Sequence, residues 1–147
     1  KQYVNKAIIP KLLIPKSIKK KKLEALLTKR CKDFLALPDN WDKEGAIKIS
    51  KSVWKETERL VREILIHLWN KMYEVKIPSI LPCPDGSIDI RWNLEKFKLL
   101  INIPPNEEDL IDIYGKHIGF PKGILDFRRR DNEFIEMNLI KWLKKTH

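Results

Sequence analysis

The chain has 147 residues, 43% of them hydrophobic, which suits one domain built around a single apolar core. No apolar run approaches the roughly 18 residues that a membrane span needs, which argues against a membrane protein. Cys31 and Cys83 are far apart and have no Cys or His neighbour at metal-ligand spacing, which argues against a disulfide scaffold. We therefore expect a cytoplasmic protein with two reduced thiols.

The formal charge of +10 is distributed unevenly along the chain. Residues 1–35 contain eleven Lys or Arg against two acids, whereas residues 36–147 contain nineteen basic and eighteen acidic residues. A uniformly basic domain would indicate a nucleic-acid-binding face. Here the excess charge belongs to the N-terminal segment, and the rest of the chain is nearly neutral.

The N-terminal segment divides into an arm and a helix. Pro10 and Pro15 predict an extended arm over residues 1–16, followed by one domain over residues 17–147. Ser17 is expected to cap a helix that runs to about Leu37, because apolar residues recur there at helical spacing. Lys19–Lys22 fill its first turn, where cations oppose the helix dipole, and this indicates an anionic or acidic neighbour.

A second helix is predicted after Pro38. Ser50 is its expected cap, and Ile49 and Trp54 can form a hydrophobic staple across the cap. Its buried face is expected to contain Val53, Leu60, Val61, Ile64, Leu65, Leu68 and Met72.

From Pro78 the hydrophobic period changes to two, which predicts strands. Three strands are expected around residues 88–92, 97–103 and 111–113, with a possible short edge strand at residues 80–84. Residues 115–123 are expected to form an irregular crossing, and a last helix starts near Asp131. The predicted fold class is α+β: two helices, a three- to four-stranded antiparallel meander and a C-terminal helix, with the helices on one face of the sheet.

The arm is the first candidate binding segment. Its apolar residues alternate with lysines, and the predicted contact residues are Ile8, Ile9, Leu12, Leu13, Ile14, Lys16, Lys19, Lys20, Lys21 and Lys22. Aliphatic side chains gain from burial against a protein but gain nothing from phosphates, which favours a protein partner. Nucleic acid is the alternative partner, since the same lysines could neutralise phosphates.

Two further groups are candidate interface residues. Trp41 and Asp42 lie in a polar loop: either Trp41 anchors the loop on the core while Asp42 caps a turn, or Trp41 is an exposed interface residue. Arg128, Arg129 and Arg130 could bind phosphate or carboxylate. The flanking acids Asp126, Asp131 and Glu133 favour internal pairing of these arginines instead.

The sequence indicates no catalytic residue, no metal site, no cofactor and no small-molecule substrate. The three histidines lie in contexts that do not suggest a triad. A second alternative function is a metal-dependent nuclease, which would require convergence of the loop acids and the acids of the sheet region: Asp39, Asp42, Glu44, Asp85 and Asp89. Asp85-Gly86 is more typical of a turn.

Two motifs carry a resemblance to known proteins: residues 37–46, Leu-Pro-Asp-Asn-Trp-Asp-Lys-Glu-Gly-Ala, and residues 84–92, Pro-Asp-Gly-Ser-Ile-Asp-Ile-Arg-Trp. Over residues 35–115 the chain resembles a loose group of short, uncharacterised bacterial and archaeal proteins from mobile-element or defence-type gene neighbourhoods. The resemblance implies the order of two helices followed by a meander, and a structural or binding role for the Trp41 loop. It implies no catalytic residue.

Taken together, these patterns predict a non-enzymatic protein-binding or regulatory protein, comparable to an antitoxin, an inhibitor or an accessory subunit. The alternatives remain a nucleic-acid-binding protein and a metal-dependent nuclease.

Overall fold

The computed structural model describes residues 15–119 and 123–146. It contains three helices and a five-stranded antiparallel sheet, so the α+β class is confirmed. In chain order the elements are α1 (Lys16–Leu35), α2 (Lys51–Asn70), β1 (Ser79–Pro82), β2 (Ile88–Asn93), β3 (Phe97–Ile103), β4 (Ile111–His117), β5 (Ile124–Arg129) and α3 (Asn132–Lys144). Within the described residues, no helix combines the length and the apolar character needed to cross a membrane.

The sheet is a simple meander in the order β1-β2-β3-β4-β5. The inner face of the sheet is apolar, and the helical layer covers it. Its buried side chains are Ile80, Ile88, Ile90, Trp92, Phe97, Leu99, Ile101, Ile103, Ile111 and Ile113. The alternation of buried and exposed residues in β3 and β4 confirms the predicted period of two.

Helix α2 forms the centre of the helical layer. The Ser50 hydroxyl accepts a hydrogen bond from the Val53 amide at 3.2 Å, so the predicted cap is confirmed. Ile49 and Trp54 are both buried, in agreement with the predicted staple. Met72 is wrongly predicted as buried, because α2 ends at Asn70 and Met72 has a φ of 68° and is 67% exposed.

Ion pairs tie the other two helices to α2. Arg62 donates to both carboxylate oxygens of Glu24 on α1, which lowers the pKa of Glu24 and raises that of Arg62. On the other side, Arg59 pairs with Glu136 of α3. Burial, reinforced by Glu63, raises the pKa of Glu136 above its usual value despite this pair.

The sequence-based description is wrong in two places besides Met72. Helix α1 begins at Lys16, with Pro15 at the cap position and no capping side chain, so Ser17 lies inside the helix. The residues between the predicted irregular crossing and the last helix, to which no element is assigned from the sequence, form a fifth strand, β5, which pairs with β4 from Lys116↔Ile124 to Ile111↔Arg129. The glycines and prolines before β5 predict a loop, so the sequence did not indicate this strand. The predicted edge strand exists as β1.

Gly115 on β4 is needed where α3 lies closest to the sheet. A Cβ atom at this position would lie 3.0 Å from Leu99 Cδ1 and 3.0 Å from Trp142 Cη2. The Trp142 indole therefore packs directly on the backbone of β4, and it donates a hydrogen bond to the Gly123 carbonyl at 3.1 Å.

We predict that Gly115→Val lowers the free energy of unfolding by about 2–3 kcal/mol, because the added methyl groups would displace Trp142 or Leu99 from a packed core. Lys116→Val is the matched control, since Lys116 is exposed on the other face of the same strand and should change stability by no more than about 0.5 kcal/mol. Urea unfolding measures both values. Equal stability of the two variants would contradict the close packing of α3 on β4.

Candidate functional site

The first two turns of α1 carry a group of cations that we call the lysine cluster: Lys16, Lys20, Lys21 and Lys22. Three of these side chains are exposed and Lys20 is half-buried. None of the four forms an ion pair with any residue in 15–119 or 123–146. The cluster therefore presents four uncompensated positive charges beside the positive end of the helix dipole.

Lys19 has a different role from its neighbours. Its ammonium donates to both carboxylate oxygens of Glu74 at 3.2 Å, and it lies 6.0 Å from the centre of the Trp69 ring. Only 16% of its side chain is exposed. Lys19 thus links α1 to the segment after α2. Because it is paired and largely buried, it is less accessible to a binding partner than the lysines of the cluster.

The apolar part of the predicted arm, Ile8, Ile9, Leu12, Leu13 and Ile14, lies outside the described residues. Its predicted role in partner binding stays a prediction.

The loop that contains Trp41 and Asp42 is held by its own side chains. One oxygen of Asp42 accepts hydrogen bonds from the amides of Glu44 at 2.8 Å and Ala46 at 3.0 Å. Asn40 Oδ1 accepts another from the Gly45 amide at 2.7 Å. Asp42 therefore caps the turn as expected, and the three left-handed residues of the loop, Asn40, Lys43 and Gly45, reverse the chain in a short distance.

Trp41 is half-buried, and its indole Nε1 is buried without a hydrogen-bond partner among the described residues.

The two motifs behind the resemblance contact each other. The Ile47 amide, directly after the first motif, donates to the Pro84 carbonyl of the second at 2.7 Å. The Ile47 side chain lies so close to Gly86 that a Cβ there would be 3.2 Å from Ile47 Cγ2. Gly86 has a φ of 87°, so both the turn and the contact require glycine.

The two sheet-region acids of the nuclease alternative, Asp85 and Asp89, are held by other contacts. Asp85 Oδ1 accepts hydrogen bonds from the amide and the hydroxyl of Ser87. The Asp89 carboxylate accepts from Arg91 at 2.9 Å and from Asn102 at 2.8 Å. Within 15–119 and 123–146, no three His, Cys, Asp or Glu side chains are grouped so that they could hold a metal ion.

Cys83 lies beside this polar group. Burial is the main cause that raises the pKa of the Cys83 thiol, and the charges of Asp89 and Asp85 raise it further, whereas a hydrogen bond with Ser87 acts in the opposite direction. Cys83 and Cys31 are both half-buried and both free. The environment of Cys83 therefore favours the unreactive thiol over the thiolate.

The three consecutive arginines all contact the protein itself. Arg128 pairs with Asp112 across the sheet, and Arg129 lies 3.8 Å from the ring centre of Phe134. Arg130 pairs with Glu56 of α2 and also donates to the carbonyls of residues 106 and 107. Internal use was expected, but the flanking acids named as partners are not the ones used. Because these arginines lie on or just after β5, Arg128 meets Asp112, which is 16 positions away, and Arg130 meets Glu56, which is 74 positions away.

A cavity of about 490 Å³ lies between the end of β4 and α3. The His117 ring stacks on Trp142 at a centroid distance of 4.2 Å, and its Nε2 atom is buried without a partner among the described residues. Lys141 and Lys145 complete part of the wall. No sequence pattern indicates this site, because His117 and Trp142 are distant along the chain.

The outer face of the sheet, opposite the helices, is the largest feature that sequence reasoning missed. Its central row follows from the strand register and runs Arg91, Leu100, Tyr114, Asp126 across β2, β3, β4 and β5. Leu100 is 36% exposed and Tyr114 47% exposed. Period-two alternation indicates which residues of one strand point outward, but only the pairing of strands shows which outward residues adjoin.

The fold and its surfaces define an α+β protein with helices on one face of an antiparallel meander and the other face open. Comparisons with protein-family models, with curated proteins and with solved structures find no match to this chain. The resemblance to the group with the Trp-Asp loop accordingly remains an interpretation of the two motifs.

We predict that Asp42→Ala lowers the free energy of unfolding by about 1–2 kcal/mol, because two amides lose a carboxylate acceptor. Glu44→Ala is the matched control, as Glu44 is exposed and its carboxylate has no hydrogen bond within the described residues. Urea unfolding measures both. If the two variants are equally stable, the loop is not held by Asp42.

We also predict that alkylation of Cys83 in a Cys31→Ser background requires a higher pH than alkylation of a peptide spanning residues 81–87. The reason is that the thiolate reacts, and the folded environment raises the thiol pKa. The rate of reaction with iodoacetamide, measured as a function of pH, gives both midpoints. Coinciding profiles would contradict the burial of Cys83.

Proposed function

We propose that this chain is a non-enzymatic regulatory protein that holds an acidic protein partner through the lysine cluster and the arm before it. The observation that carries the proposal is the concentration of four cations without ion pairs among the described residues in the first two turns of α1. The cations of α2 that face the other helices are paired, Arg59 with Glu136 and Arg62 with Glu24. The lysine cluster has no such partners within the described residues.

The position of the cluster makes an acidic partner favourable. Cations in the first turns of a helix oppose its dipole, and like charges four positions apart destabilise a helix, each by a few tenths of a kcal/mol. Lys16 and Lys20 have this spacing. An acidic surface against the cluster would remove both penalties and add attraction, and it would also accelerate encounter.

The kind of side chain supports protein over nucleic acid. Lysine lacks the planar fork with which arginine recognises bases, and single strands bind best where aromatic rings are available for stacking. The Trp69 ring, 6.0 Å from the Lys19 ammonium, is only 3% exposed. The aliphatic residues predicted for the arm would be buried by a protein groove.

Nucleic acid remains the alternative for the same surface. Four lysines could neutralise about four phosphates, which predicts a steep loss of affinity between low and physiological salt. A partner held partly by apolar contacts should lose much less affinity over the same range.

We predict that replacing Lys16, Lys20, Lys21 and Lys22 by glutamate weakens binding at least about tenfold, because each change places like charges against each other. Binding is measured by calorimetry with the protein that co-purifies with the untagged chain. The control replaces Lys48, Lys51, Lys55 and Lys71, four exposed lysines elsewhere in the described chain, by glutamate. It should leave the affinity within about twofold.

Two results would contradict the proposal. One is an equal loss of affinity in the control, which would indicate a nonspecific charge effect. The other is a shift of labelled DNA or RNA by the wild-type chain at physiological salt that disappears in the cluster variant, which would favour the nucleic-acid alternative.

A further inference from the structure

The outer face of the sheet has a charge pattern that is complementary to itself. In its central row, Arg91 on β2 is a cation and Asp126 on β5 is an anion, while Leu100 and Tyr114 between them are partly apolar. Turning this row by 180° about an axis parallel to the strands exchanges β2 with β5 and β3 with β4. Each charged end then meets its opposite, and Leu100 meets Tyr114.

The ends of the next row also carry opposite charges, with the signs reversed, although Arg128 already pairs with Asp112 of its own chain. Asp89 on β2 is an anion and Arg128 on β5 is a cation. Asp89 contributes less than the others, because it is 12% exposed and already accepts hydrogen bonds from Arg91 and Asn102. In both rows, opposite charges at β2 and β5 would meet for the same two-fold axis, which lies between β3 and β4.

We propose that the outer face binds the outer face of a second copy of this chain, with the two-fold axis parallel to the strands and between β3 and β4. The two sheets stack in an aligned β-sandwich, in which Arg91 of each copy pairs with Asp126 of the other. This inference goes beyond the proposed function, because it uses the side of the molecule opposite the helices.

The accessible charges support this contact. The Arg91 side chain is 51% exposed even though it pairs with Asp89, so it can bridge to a second carboxylate. Asp126 is exposed and has no ion pair within residues 15–119 and 123–146.

Two features make the dimer weak. In the third row of the outer face, Lys98 on β3 lies beside Lys116 on β4. Across the two-fold axis, Lys98 of one copy would face Lys116 of the other. They lie at the end of the face, where their stems can cover apolar surface while the ammonium groups reach solvent. Four overlapping strands give a face of on the order of 400 Å² per copy, about half of what a standard interface buries. We therefore expect a dissociation constant in the micromolar range.

Sedimentation equilibrium of the full chain from about 1 to 500 μM tests the proposal, since this range brackets micromolar dissociation. The wild type should pass from monomer to dimer. Arg91→Glu and Asp126→Lys should each raise the dissociation constant at least about tenfold, because each dimer contains the altered pair twice.

The decisive measurement mixes the two variants in equal amounts. A heterodimer of Arg91→Glu with Asp126→Lys has one Glu–Lys pair and one Asp–Arg pair, both attractive, so its affinity should return to within about threefold of the wild type. The control mixture combines Asp126→Lys with the double variant Asp126→Lys/Lys51→Glu, which carries the same compensating charge change on the helical side, so every possible dimer keeps both repulsive contacts. It should show no recovery.

Three outcomes would overturn the proposal: a wild-type chain that stays monomeric over the whole range, single variants that dimerise as well as the wild type, or recovery in the control mixture. Far-ultraviolet circular dichroism and urea midpoints of each variant show whether it is folded. Recovery in the mixture would itself exclude misfolding as the cause of the single-variant losses.

Discussion

Packing of the helices on one face of the sheet is the constraint on which the rest of this structure depends. The inner face is a continuous apolar surface, with Ile88, Ile90, Ile101 and Ile113 all at most 1% exposed. Such a surface must be covered, and α2 and α3 cover it. The outer face has a mixed polar and apolar character, and it is free to take another role. The candidate surfaces follow from this division, with the lysine cluster on the helical side and the central row on the other.

The contact between the Trp41 loop and the Asp85-Gly86 turn gives the two sequence motifs a common physical basis. Asp42 shapes the first segment so that the Ile47 amide meets the Pro84 carbonyl, and Gly86 leaves room for the Ile47 side chain. One backbone hydrogen bond and one close side-chain contact thus join the two segments. A structural role is sufficient to explain these residues, and a catalytic role is not needed. The same holds for Asp85, whose carboxylate accepts a hydrogen bond within its own turn.

The sequence predicted what depends on local pattern and missed what depends on pairing over long distances. The Ser50 cap, the apolar face of α2 and the alternation in β3 are local, and each was predictable. Strand β5 was not, because glycines and prolines precede it and its two inward side chains, Leu125 and Phe127, form only a short apolar pattern and are only half-buried. The arginine cluster shows the same limit. Neighbouring acids were the reasonable partners for Arg130, but the fold supplies Glu56, 74 positions away. The central row of the outer face combines four strands, so no single stretch of sequence contains it.

The two proposed surfaces lie on opposite sides of the molecule, which has a consequence for how they would work together. A partner bound at the lysine cluster of one copy leaves the outer face free, so dimerisation and partner binding need not compete. A sandwich dimer would carry two lysine clusters, one on each outward side, with two helical layers and two sheets between them. A partner with one acidic surface would then bind each cluster independently. Only a partner with two acidic surfaces, spaced to reach around the dimer, would gain affinity from the second cluster, because the gain depends on whether both sites can be occupied at once. The weak association expected for the sheets would in that case be strengthened by the partner, since a ligand that binds the dimer better than the monomer shifts the equilibrium toward it.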